Sequence, residues 1–263
     1  IIFIMFIKKI ILKLIKFFFS IFNYEIELTK NKYSHTGIYH SYKDAFLASN
    51  NPYHYKDENN LKQKNLIDLK NLEDTQRSII FPLFYLNNFN DLEKEKEILE
   101  IGAGNNPLFL YFLKNTNKKL KFNILEVENF KVKIPSEFKN YIKYYDKIEN
   151  INLKNISSVI FSSSIQFIEN YLDILDKIFI NKIKYVIITD TFFTERDKNI
   201  YVLSCMGNIK FPNTFFSYKE LNNIFQKNSY KQIFITKRNI SQYSHDKLNT
   251  KEFFLRDIIY KLI

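Results

Sequence analysis

From residue 97 onward the apolar positions switch between two periods. Short apolar runs recur at Glu97–Ile101, Phe122–Val127, Val159–Ser162, Tyr185–Thr189 and Lys231–Thr236, with helically spaced segments between them, notably Leu108–Leu113 and Leu172–Ile180. Runs of that length read as strands and the 3.6-residue spacing as helices. Strands alternating with helices imply right-handed crossovers, so the pattern predicts an α/β fold around a mostly parallel sheet. Ser217 and Glu220 form a Ser-x-x-Glu capping box, which predicts a helix from Tyr218 to about Gln226.

Earlier in the chain the pattern differs. Ile1 to Phe22 is apolar but carries Lys8, Lys9, Lys13 and Lys16. At about 100° per residue these lysines share one arc of about 140°, with Ile4, Ile7, Ile11, Leu14, Ile15 and Phe18 opposite. Four charges near the centre argue against a spanning helix. A basic amphipathic helix lying on an anionic membrane surface fits, the alternative being a helix packed on the protein's own body. From Glu25 to about Asn90 the chain reads as helical and polar, with a loop around Tyr33–Tyr42 and a turn at Asn50-Asn51-Pro52. The expected organisation is a membrane-interface helix over 1–23, a helical extension or lid over 24–90, a Rossmann-like domain over 91–240 and a helical tail over 241–263.

With 263 residues, 46% of them apolar, the chain can bury one substantial core. The formal charge of +11 raises nucleic acid as a partner. However, Lys, Asn, Ile, Phe and Tyr are inflated together and the lysines are scattered, which reads as a coding bias and a solvated face. Only four arginines (Arg77, Arg196, Arg238 and Arg256) are present, few for a surface that pairs phosphates, so no nucleic-acid partner is expected. Cys205 is the single cysteine, and four dispersed histidines give no zinc spacing, so neither a disulfide within the chain nor a metal site is expected.

Only four glycines occur, and two fall together in Ile98-Leu99-Glu100-Ile101-Gly102-Ala103-Gly104-Asn105-Asn106-Pro107. An apolar strand with an acidic residue near its end turns through Gly-x-Gly and enters a helix near Pro107, capped by Asn106. Glycines there permit a tight turn and a close ligand approach. One strand later comes Glu126, placed where cofactor-binding α/β folds present a carboxylate to ribose hydroxyls. The third glycine of a dinucleotide fingerprint is missing, which counts against a pyrophosphate but not against S-adenosylmethionine.

These residues resemble a profile-defined family of bacterial methyltransferases met among surface-polysaccharide genes. Gly37-Ile-Tyr-His-Ser41-Tyr42-Lys-Asp-Ala45 is similar to its opening motif, with Tyr42 where Trp is usual. Leu99–Gly104, Leu125-Glu126, Ser162–Ile168 and Ile187–Asp197 are similar to its later segments, in order. Asp190 stands where Arg is usual and Phe192 where Pro is usual, departures that bear on acceptor contacts. The resemblance implies a class I methyltransferase fold, S-adenosylmethionine as cofactor, and a saccharide or lipid-linked saccharide acceptor at the inner face of the membrane.

On that reading Glu100 belongs to the cofactor site, Gly102 and Gly104 lie against the methionine moiety, Glu126 holds the ribose and Asp146 meets the adenine amino group, unless it is a surface turn. Ser163 and Gln166 hold the methionine end or the acceptor, or cap the next helix. Asp190 and His40 are the candidate general bases, and Thr191 and Arg196 the acceptor contacts. Arg196 could equally pair with Glu195 or Asp197. The competing expectation is a non-catalytic Rossmann-fold scaffold of envelope polysaccharide assembly.

Overall fold

The structure is a computed structural model. It describes residues 33–50, 97–104, 113, 120–127, 131, 134–206, 208–238, 243–249 and 251–263. The expected helices over 1–23 and around 50–90, and the helix entered at Pro107, lie outside the described residues, save that Leu113 is helical and buried.

Five parallel strands form the centre: β2 (Glu97–Ile101), β3 (Phe122–Leu125), β4 (Ile142–Tyr145), β5 (Ile156–Ser162) and β6 (Tyr185–Thr194). Their order is β4-β3-β2-β5-β6. The chain steps leftward from β2 to β3 and β4, then returns to place β5 on the other side of β2. Parallel central strands are covered on both faces, and β5 is buried along its whole length. One face packs Leu99, Ile101, Val159, Phe161, Val186 and Ile188. The other packs Ile98, Ile124, Ile160, Ile187 and Leu113.

Two described helices cross back. Residues Tyr171–Ile180 bury Tyr171, Leu175 and Ile178, one face at helical spacing. Residues Tyr218–Lys227 start where the capping box predicts, with Ser217 Oγ accepting from the Glu220 amide at 3.2 Å. After it come β9 (Tyr230–Ile235) and the final strand β11 (Phe253–Leu262). β11 runs antiparallel to both β6 and β9, so the full order is β4-β3-β2-β5-β6-β11-β9 with β11 alone reversed.

Two expectations are corrected. Residues 241–263 are not a helical tail: Tyr243–His245 form β10 and Phe253–Leu262 form β11, a strand buried on both faces that completes the sheet. The segment around Tyr33–Tyr42 is no loop. Tyr33–Tyr39 is strand β1 and Tyr42–Ala48 a short helix, α1, capped by Ser41 Oγ on the Asp44 amide.

β1 belongs to a second sheet, ordered β10-β1-β7-β8, with β7 at Ile200–Met206 and β8 at Ile209–Ser217. β7 and β8 are a tight hairpin, and the end of β8 pairs with the end of β6 (Phe193 with Phe216, Thr194 with Ser217). Within one 10-residue strand, β6 therefore passes from the parallel sheet into this second one. The passage is made at a bulge, where Thr189 and Asp190 together oppose Asp257 of β11 and Asp190 adopts φ +53°.

Candidate functional site

The strand order reverses between β2 and β5, and open α/β sheets hold ligands at the carboxyl ends flanking such a reversal. Gly102 and Ser164 meet there. Gly102 sits at φ +68°, its amide donates to the Leu125 carbonyl at 3.0 Å, and a Cβ on it would lie 2.6 Å from Ser164 Cβ. Ser164 Oγ donates to the Ile101 carbonyl at 2.5 Å, locking the two loops together. Gly104 sits at φ +59°, and among the described residues no heavy atom lies within 4 Å of a Cβ built on it. One glycine is thus required by packing and the other leaves a surface that a ligand can approach.

Glu126, at the end of β3, is buried beside this turn. Its Oε2 accepts from the Gly104 amide at 2.7 Å and its Oε1 from the Val127 amide at 2.9 Å. Burial pushes its carboxyl above the usual range, opposed by the two amides and by the Lys131 charge. Each oxygen keeps a lone pair for a diol, so carboxylate and glycine turn form one preset unit. Asp146, directly after β4, is exposed and pairs with Lys131 at 2.6 Å. Glu100 is fully buried on the β2 face that carries Ile98 and Ile124.

At the end of β5, Ser163 takes φ +53° and its amide donates to the Thr189 carbonyl at 2.9 Å. Gln166 is buried, with Nε2 3.5 Å from Ser163 Oγ. These residues shape the loop, and Gln166 caps no helix.

The remaining candidates are engaged with partners of their own or exposed. Asp190 Oδ1 accepts from Arg238 at 2.9 Å, and the same guanidinium nitrogen reaches Asp257 Oδ1 at 3.1 Å. The Asp190 amide donates to Asp257 Oδ1 at 2.8 Å, so the aspartate holds the bulge and is paired with a cation rather than poised as a base. Thr191 is fully buried, its hydroxyl donating to the Thr189 carbonyl at 3.0 Å. Arg196 pairs across solvent with Glu252 at 2.7 Å, a partner different from the two expected. His40 is exposed at the junction of β1 and α1.

The opening motif is explained by packing. The Gly37 amide donates to Asp246 at 3.0 Å, Ser41 caps α1, Ala45 is fully buried, and Tyr42 Oη donates to the Phe167 carbonyl at 2.8 Å. Sequence reasoning missed the partner pair Arg238 and Asp257. The charged pair Arg256-Asp257 inside the apolar run Phe253–Tyr260 was the available signal.

Among the described residues no group of three His, Cys, Asp or Glu side chains lies close enough to hold a metal, and no helix is long and apolar enough to cross a membrane.

A Rossmann-like sheet ordered β4-β3-β2-β5-β6-β11-β9, with only β11 reversed, is the class I methyltransferase arrangement. Solved structures similar to the chain include an S-adenosylmethionine-dependent methyltransferase from Methanosarcina mazei, at 11% identity and TM-score 0.43, covering 68% of this chain and 98% of that one. Another, from Clostridium acetobutylicum, shows 14% identity and TM-score 0.41, covering 72% and 93%. The MccD protein shows 11% identity and TM-score 0.47, covering 68% and 95%. At such scores these likenesses add nothing to what strand order and register establish. No family model and no curated protein matches the chain.

Proposed function

We propose that this chain is an S-adenosylmethionine-dependent methyltransferase that methylates a hydroxyl of a saccharide or lipid-linked saccharide of the cell envelope. The observation that carries the cofactor is the unit formed by Gly102, Gly104 and Glu126 at the point of strand reversal. The acceptor class rests on the resemblance of the quoted motifs. The basic amphipathic pattern of residues 1–22 supports work at the inner face of an anionic membrane.

When bound, the cofactor supplies a sulfonium methyl open to in-line displacement. The chain's own tasks are orientation and exclusion of water. Glu126 accepts from a ribose diol, Gly104 leaves room for the ligand backbone, and the Gly102–Ser164 contact fixes the loop in advance. Calorimetric titration of the full chain with S-adenosylmethionine tests this. Saturable binding, abolished in Gly104→Val and weakened about tenfold or more in Glu126→Ala, is expected, since a lost charge-assisted bond is worth about 1.5–3 kcal/mol. A folded protein that takes up no cofactor would sink the proposal.

The second reading is a cofactor-binding scaffold without turnover. The pairing of Asp190 with Arg238 favours it, because this candidate base is held by a cation. Bound cofactor with no methyl transfer to any member of a broad glycan panel would establish that reading.

A further inference from the structure

Ser162 and Thr189 are direct neighbours in the register of β5 and β6, and both stand at the carboxyl ends of those strands. Alternation along β5 and β6 puts them on the same face as Ile160 and Ile187. Ser162 is 5% exposed and Thr189 fully buried, yet neither Ser162 Oγ nor Thr189 Oγ1 has a hydrogen-bond partner. The Oε1 of Gln166, four residues beyond Ser162 and only 1% exposed, is also without one. An unmet buried hydroxyl is costly, and Ala or Val would fill the same space at no such cost. Two adjacent on neighbouring strands, beside the strand reversal, break the packing rule that the rest of β5 and β6 obeys. Such local violations concentrate at functional sites.

We infer that Ser162 and Thr189, with the Gln166 carbonyl, form the subsite for the methyl acceptor, and that the group they take is uncharged and hydroxyl-bearing. The inference rests on the function proposed above. It follows from the chemistry of the set. A Ser or Thr hydroxyl both donates and accepts, and the Gln166 oxygen accepts, which matches a sugar hydroxyl that must do both. An anionic group would require a cation, and the nearby Arg238 is held by Asp190 and Asp257. The hydroxyls lie one residue inside Ser163 and Asp190, which reach solvent, so the acceptor hydroxyl enters by about one residue's depth.

The test uses the full chain and the variants Ser162→Ala and Thr189→Val. Thermal melting, calorimetry with S-adenosylhomocysteine, and saturation-transfer NMR with a panel of neutral methyl hexosides and the matching uronides are read side by side. Both variants are expected to melt at or above the parent, by up to about 2–4 °C, with unchanged S-adenosylhomocysteine affinity. Binding of the neutral hexosides should fall tenfold or more, and uronides should bind the parent more weakly than their neutral counterparts. Lower melting would show that the hydroxyls have partners, and loss of S-adenosylhomocysteine would assign them to the cofactor. Either result overturns the inference, as does preference for uronides, a parent that binds no neutral hexoside, or hexoside binding indifferent to the variants. A parent that takes up no S-adenosylhomocysteine defeats the proposed function itself, a result separable from the others.

Discussion

The two sheets joined by β6 handle polar groups differently. At the carboxyl rim of the parallel sheet, Ser163 and Asp190 stand partly exposed at the ends of β5 and β6. In the second sheet, His35, Ser204 and Asn213 form a bonded row across β1, β7 and β8, deep in a core of Phe192, Phe215, Phe253 and Tyr243. The first arrangement is reachable by a ligand. The second is enclosed, and its hydrogen bonds specify how three strands register. A buried polar residue therefore points to function only where it stands at an edge that solvent or a ligand can reach.

The two sheets are most sensitive to change at the junction between them. Arg238 bridges Asp190 of the bulge and Asp257 of β11, the latter 1% exposed. Arg238→Met leaves two carboxylates facing each other without their cation, and removing one partner of a buried pair costs about 3–5 kcal/mol. Urea denaturation should show a loss near the lower end of that range, because Arg238 and Asp190 keep some contact with solvent. A loss under about 1 kcal/mol would mean that the bulge is held by the backbone alone.

Next in size is the glycine turn. Gly102→Ala would force a Cβ to 2.6 Å from that of Ser164 at a positive φ. Strain and overpacking together should cost about 2–4 kcal/mol. Gly104→Ala meets no described residue and carries only the conformational cost of about 1–2 kcal/mol. Equal losses in the two variants would contradict the division between a packed and an open glycine.

Much of the parallel sheet was legible because its signals are local. β2, β3 and β5 are apolar runs bounded by polar turns, and the Gly102–Glu126 relation is a spacing along the sequence. The second sheet was not. β1 is assembled from partners far along the chain, His35 with Ser204 of β7 at 169 positions and with His245 of β10 still further, so nothing near it in the chain announces a strand. The β7–β8 hairpin did carry a signal, since Gly207-Asn208 separates two runs of strand-forming residues by two positions. The helical tail expected at the C-terminus failed for a different reason. β11 is buried on both faces, which erases the alternation that separates strand from helix. In the candidate site, Gly102, Gly104 and Glu126 come together as expected, whereas Asp190 and Arg196 read as chemistry from sequence because their partners, Arg238 and Glu252, lie far along the chain.

The enclosed polar row responds to pH. Burial, reinforced by His245, pulls the His35 imidazole from 6.5 down to about 3. The unfolded chain therefore binds a proton below about pH 6.5 that the folded chain refuses. Stability is fully present above that value and falls as pH drops toward 3. The slope is about 1.4 kcal/mol per pH unit, or about 2 kcal/mol lost by pH 5. His245 is shifted in the same direction by burial and adds to the slope. His35→Phe keeps the aromatic packing and leaves Ser204 bonded to Asn213. Its stability should change with pH less steeply than the parent's by that amount, and parallel curves would show that the imidazole is charged in the folded state.

The smallest effect is expected at the rim of the second sheet. Arg196 and Glu252 lie 2.7 Å apart, but their side chains are 48% and 39% exposed. Water and salt screen such a pair, and ordering two long side chains offsets much of the attraction, so exposed pairs contribute about 0.2–1 kcal/mol. A double-mutant cycle of Arg196→Ala and Glu252→Ala should therefore give a coupling below about 0.5 kcal/mol that vanishes in high salt. The same variants separate two roles for Arg196. A residue that contacts an anionic acceptor would change methyl transfer while leaving stability untouched. A residue that only trims the surface would change neither, the outcome expected for an uncharged acceptor held at the carboxyl ends of β5 and β6.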